Sequence, residues 1–152
     1  MSIPFAFHIP FVELIGCTLE RFEAGEAELA LVLDEAKHTN SFGVAHGGLQ
    51  MTLLDVAMAH AARSLRQSEG GGPGLVTLEL KTSFMRPGTG TLRVEGKVLS
   101  ASASLAFTEG KVFDGKGKLC AHATATFKYL RALPVDGRDV RPAPKLAGPG
   151  SD

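Results

Sequence analysis

Gly47-Gly48-Leu49-Gln50-Met51-Thr52-Leu53-Leu54-Asp55-Val56-Ala57-Met58-Ala59-His60-Ala61-Ala62-Arg63-Ser64-Leu65-Arg66 is the stretch that decides how this chain folds. It holds no proline, and Leu, Met, Ala and Gln, which favour helix, dominate it. Its apolar side chains fall on nearly every helical face, from Leu49, Met51, Leu53 and Leu54 through Val56, Ala57 and Met58 to Ala61 and Ala62. A helix that is apolar all round is a buried one, and it needs cover on every side. Met51 and Met58 are both expected to pack in that core. The helix runs out before Ser68-Glu69-Gly70-Gly71-Gly72-Pro73-Gly74, which reads as a flexible connection and lacks the Gly-Lys-Ser/Thr ending of a phosphate-binding loop.

Strand-like segments flank this helix. Before it, residues 10–15 suit one or two helical turns. Residues 18–22 and 26–33 then read as a strand pair turning at Ala24-Gly25, and Ala27, Leu29, Leu31 and Leu33 point one way. A polar loop at 38–41 follows. After the helix come four more strand-like runs, 75–84, 91–99, 104–113 and 118–129. The last two are joined by Asp114-Gly115-Lys116-Gly117, a good hairpin turn. Arg86-Pro87-Gly88 reads as another turn. The order predicts an α+β fold, an antiparallel curved sheet of about six strands wrapped around one long buried helix: the hotdog arrangement. Residues 1–131 form one domain. From Ala132 the chain is rich in Pro, Gly and Ala without periodicity, so 132–152 is expected to be a mobile tail.

The 152 residues suit a single domain, and 44% of them are hydrophobic, enough for a core. Lys plus Arg and Asp plus Glu both number 16, so the balanced charge argues against a nucleic-acid partner. No apolar run reaches the roughly 18 to 20 residues of a membrane span, and no secretory signal is visible at the start. A cytoplasmic location is expected, with Cys17 and Cys120 as two buried thiols. No Cys/His spacing suggests a metal site.

Asp55 is the oddest residue. It sits mid-helix among Leu53, Leu54, Val56 and Ala57, too far in to act as a cap. A carboxylate there is costly unless something pairs with it. Either it is a structural partner of Arg63, His60 or another polar group, or it is catalytic. The second feature is Val44-Ala45-His46-Gly47-Gly48 at the helix start. Helix N-termini expose unpaired N–H groups with a partial positive charge, a ready site for a carbonyl oxygen turning negative. The glycines could equally serve only a tight loop. Asp55 lies eight residues beyond Gly47, about 12 Å along the axis. One helix cannot bring both groups to one carbonyl carbon. If they cooperate, they come from two chains, which implies a two-fold homodimer with sites shared across its interface.

The run from His38 through Asn40, Gly43 and His46-Gly47-Gly48 to Asp55 resembles the signature of the phenylacetate-degradation (PaaI-like) hotdog thioesterases. Phe84-Met85-Arg86-Pro87 and Gly96 resemble the same family. The similarity covers roughly residues 10 to 130. It implies an acyl-CoA or aryl-acyl-CoA substrate, no cofactor beyond the coenzyme A that the substrate carries, no metal, and a dimer or a dimer of dimers. By position, Asp55 would activate water or attack directly, and the Gly47 N–H would polarise the thioester carbonyl. His46 and Asn40 would help hold the thioester and shape the loop. Thr77 would assist the water or the carboxylate. Gly48, Lys81 and Arg86 are candidate contacts for substrate and its phosphates.

Two rivals stand beside that reading. A hotdog dehydratase or hydratase would need a His paired with an acid at the substrate's α-carbon. A non-catalytic acyl-CoA-binding protein would need neither. A serine hydrolase has no support, because no Gly-x-Ser-x-Gly elbow is present. His60 and His122 read as ordinary core or surface histidines.

Overall fold

Residues 1–67 and 74–130 are described by the computed structural model. In chain order the elements are α1 (Pro10–Ile15), β1 (Thr18–Glu23), β2 (Glu26–Val32), α2 (Glu35–His38), α3 (Gly47–Ser64), β3 (Gly74–Phe84), β4 (Thr91–Ala101), β5 (Leu105–Phe113) and β6 (Leu119–Leu130). The strands form one antiparallel sheet in the spatial order β1-β2-β4-β5-β6-β3. Alternation does the sorting. Ala27, Leu29 and Leu31 of β2, Leu92 and Val94 of β4, and Ala121, Ala123, Ala125 and Phe127 of β6 are buried against α3. The chain leaves β2 near one edge, crosses through α3, and re-enters as β3 at the opposite edge.

The helix sits close on the sheet because glycines face it. Gly96 and Gly110 are directly opposed across β4 and β5. A Cβ on Gly96 would overlap the Ala57 carbonyl, and one on Gly110 would lie 2.9 Å from Leu54 Cδ2. The sheet bends around the helix at register shifts in β1, β3 and β4 and where β5 pairs with β6. An extra residue on one strand locally increases twist and bend. This is the hotdog fold, with Leu53, Leu54, Ala57, Met58 and Ala61 of α3 fully buried inside it.

Two features differ from the sequence reading. Met51 is not core: it is 37% exposed, while Met58 is fully buried. The face of α3 that carries Met51 has no strand over it among the described residues. The expected polar loop begins as a helical turn, α2, capped by the Asp34 side chain, which accepts from the Ala36 N–H. Its last residue, His38, is buried. The expected mobile tail and most of the glycine-rich connection lie outside the described residues. As expected, Cys17 and Cys120 are free and buried, and burial pushes the Cys17 thiol up to about 11.

The two edges of the sheet are unlike. β1 is partly covered by the N-terminal segment, where the Ile3 N–H donates to the Leu19 carbonyl at 2.6 Å. β3, eleven residues long, has no strand beyond it among the described residues.

Candidate active site

Asn40 organises the loop that leads into α3. Its Oδ1 accepts from the N–H groups of Phe42 (2.9 Å) and Val44 (3.4 Å). Its own N–H donates to the Val44 carbonyl. Such local side-chain bonds favour Asn in turns, and Gly43 completes this one at φ 75°. The Ala45 N–H then bonds Gly88 O, and the His46 N–H bonds His38 O. The end of the loop is thereby pinned on two sides.

His46 caps α3. Its Nδ1 accepts from the Gly48 N–H at 2.9 Å, which leaves Nε2 as the hydrogen-bearing nitrogen. The Gly48 N–H is therefore taken, whereas the Gly47 N–H has no partner among the described residues. Gly47 also meets the Phe84 ring, 3.4 Å from where a Cβ would stand. Helix start, free amide and aromatic wall thus meet at one point.

Asp55 projects from the flank of α3 next to β3. Thr77 Oγ1 donates to its Oδ1 at 2.7 Å. A register shift in β3 falls directly after Thr77, between it and Glu79. Bulges of this kind re-aim side chains beside functional sites. Burial pushes the Asp55 carboxyl above its usual range, and the Thr77 bond pulls part of the way back. Of the pairings weighed for Asp55, those with Arg63 and His60 are not formed, and the polar partner it has is Thr77. His60 Nδ1–H donates to the Val56 carbonyl at 2.8 Å, and its ring stands edge-on to Phe5 and Phe22. Burial, then the nearby Arg63 charge, hold His60 down at about 4. The Arg63 guanidinium lies 4.2 Å from the centre of the Phe7 ring, and burial lowers it to about 10. Among the described residues, then, Asp55 bonds only a neutral hydroxyl.

A desolvated carboxylate and an open helix N-terminus thus stand on one helix. The model of the thioesterase superfamily matches residues 42–121, a span that includes both groups. The chain belongs to the thioesterase superfamily. Membership carries a reaction class, hydrolysis of a thioester. A candidate esterase of Saccharolobus solfataricus is 34% identical over 77% of this chain and 75% of its own length. A medium/long-chain acyl-CoA thioesterase of Escherichia coli, YigI, is 27% identical over 81% of this chain and 87% of its own. Among solved structures, a single-substitution mutant of the phenylacetic acid degradation protein PaaI of Thermus thermophilus superposes with a TM-score of 0.69 at 29% identity, covering 80% of this chain and 100% of that one. The PaaI-like character is thus shared in fold and in sequence.

The remaining residues singled out in this thioesterase-superfamily chain fall in two places. Arg86 is exposed just beyond Phe84, at the Gly47 end of the site. Lys81 is exposed on β3, while the next residue, Thr82, turns its hydroxyl inward. That alternation puts Lys81 on the solvent face, apart from Asp55. His122 also lies on the sheet's outer side, bonded to Glu109 at 2.9 Å.

Sequence reasoning missed His38 and Gln50. The Asp34 N–H donates to His38 Nδ1, and His38 Nε2–H donates to the Ile15 carbonyl, both at 2.9 Å. His38 therefore ties the end of α1 to the turn before α2. Buried Gln50 donates to the Ala45 carbonyl at 3.3 Å and holds the loop from inside, its Oε1 unpartnered among the described residues. The one available signal was position, two polar residues flanking His-Gly-Gly.

Proposed function

We propose that this protein is an acyl-CoA thioesterase whose general base is Asp55. The observation that carries the reading is the Asp55 carboxylate, held by Thr77 on one oxygen and raised by burial. An ordinary Asp is a weak base near neutral pH. A raised one removes a proton from water more effectively. The other carboxylate oxygen is left for that water. The thioester carbonyl rests on the Gly47 N–H, where the helix dipole and the amide stabilise the oxyanion. The His46 Nε2–H and the Asn40 side-chain amide are further donors at the same end.

Both halves of this machinery sit on α3, about 12 Å apart. The reading therefore needs a second copy, whose Asp55 reaches the Gly47 of the first. The uncovered edge of β3 supports that, since an unpaired edge is a template for another chain. So do the exposed apolar residues Leu78, Phe84, Met85 and Met51, which lie on β3, just after it and on the neighbouring face of α3. Coenzyme A as the thiol carrier follows the name of the Escherichia coli relative. Arg86, at the Gly47 end, is then a candidate partner for its phosphates.

The test is thiol release from a panel of aromatic, short and long acyl-CoAs. Hydrolysis of at least one is expected. Disappearance of an enoyl-CoA without thiol release would point to a hydratase, and binding without turnover to a carrier.

Thr77→Val should shift the pH dependence. The Thr77 bond lowers the Asp55 pKa. Its loss raises that pKa, so the acid limb of the kcat/KM profile moves to higher pH. Thr77→Ser should restore the limb. A Val variant with an unmoved acid limb would show that this carboxylate does not set the profile.

A further inference from the structure

A largely apolar pocket of about 520 Å³ opens beside the helix start, between α1 and the first turns of α3. Ligand pockets run from about 300 to 1,000 Å³. Its walls are Phe11, Leu14 and Ile15 on one side and Leu49 on the other. Phe11 and Leu14 are 58% and 75% exposed, apolar groups with nothing over them among the described residues. His46 and Gly48, the residues that flank the free Gly47 amide, also line it.

Apart from the His46 Nε2–H at the helix start, the polar side chains in this lining are already committed. His38 has both ring nitrogens engaged, with Asp34 and Ile15. Thr39 Oγ1 donates to the Glu35 carbonyl at 2.6 Å, and Thr52 Oγ1 donates to the Gly48 carbonyl at 2.9 Å. His46 Nδ1 is held by the Gly48 N–H. Lys37, the one formal cation in the lining, lies at an exposed turn, 3.8 Å from Asp34. A pocket whose polar groups are mostly turned onto neighbouring backbone offers little to the amides of a pantetheine arm, which would lose water with few partners gained. It suits hydrocarbon.

We propose that this pocket takes the alkyl chain of the substrate, making the protein selective for extended fatty acyl groups over short ones. The inference rests on the thioesterase reading above, and it assigns the acyl direction: from a carbonyl at Gly47, past His46 and Gly48, to lie between Leu49 and the exposed face of α1. His38 is then a positioning residue, because its bond to Ile15 holds the α1 wall in place.

The experiment compares S-ethyl-CoA with S-decyl-CoA, thioethers that cannot be hydrolysed, by titration calorimetry on the wild-type protein and on a Phe11→Gln/Leu14→Gln variant. Each methylene buried is worth roughly fourfold in affinity. The eight additional methylenes, half of them buried, should make the wild-type decyl-to-ethyl ratio about 250-fold. In the variant that ratio should fall at least tenfold. Both replaced side chains are exposed, so folding should survive, and a melting curve checks this. A decyl-to-ethyl ratio near one in the wild type overturns the proposal, as does a variant whose ratio stays within twofold of wild type. So does a variant that changes oligomeric state, which would make the patch a contact with a second copy. Thiol release from the matching thioesters separates the two readings. A preserved decyl preference with no hydrolysis of any acyl-CoA would leave the pocket standing and remove the enzyme.

Discussion

Asp55→Asn should lower thiol release by about 10² to 10⁴-fold, the usual range for losing a general base, while the protein stays folded. The substitution is isosteric. Asn keeps an oxygen that can accept the 2.7 Å bond from Thr77, so geometry survives and only the ionisable oxygen is lost. Stability should move the other way. The folded-state pKa of Asp55 is raised, with burial the larger cause. A raised carboxyl pKa means that the folded state holds its proton more tightly than the unfolded chain does. The stability this contributes is present below the ordinary carboxylate range and is lost as pH rises through the folded-state pKa. At neutral pH the wild-type protein therefore carries a desolvated charge that the Asn variant does not. The variant should melt at the same temperature as wild type or higher near pH 7, with the difference shrinking towards acid pH. Near-normal turnover would end the assignment of Asp55. A variant that precipitates would show that Asp55 holds the fold together.

Two inactive variants should restore one another. His46→Ala and Asp55→Ala are each expected to be nearly inactive alone. Unfolded together in equal amounts and refolded, they should pair at random, so that about half the dimers are mixed. In a mixed dimer one site collects both substitutions. The other takes His46 from the Asp55→Ala chain and Asp55 from the His46→Ala chain, and is whole. About a quarter of all sites should recover, a large rise over either variant refolded alone. Losing the His46 cap costs the helix about 1 kcal/mol, too little to prevent folding of a domain with this core. A tagged pull-down establishes that mixed dimers formed. Mixed dimers without recovered activity would mean that the site lies within one chain or is built from other residues. The result bears directly on the roughly 12 Å between Gly47 and Asp55, which no rearrangement of an intact helix can remove.

Apart from the single turn α2, the sequence by itself determined the elements. A stretch apolar on every face declares a buried helix, and strict alternation in residues 26–33 declares a strand, because both patterns follow from backbone periods of 3.6 and 2 that operate within a few residues. Asp55 stood out for the same local reason, as a carboxylate among Leu53, Leu54, Val56 and Ala57. The helix start at His46 was legible too, since capping and free amides are matters of one turn.

What the tertiary structure decided was the pairing of elements far apart in the chain. The Thr77–Asp55 bond spans 22 residues and depends on β3 returning to the far edge of the sheet with a bulge at that residue. Gly110 reads as an ordinary strand glycine and Gly96 only as part of a family resemblance; that α3 rests on both is a tertiary fact. Met51 read as core because a helical pattern counts apolar positions without knowing which face will lack a strand. His38 read as loop because its two partners, Asp34 and Ile15, meet only once α1 folds against the turn before α2. Local periodicity sets what each segment is. The order of strands in the sheet sets which side chains meet, and the candidate site is made of such meetings.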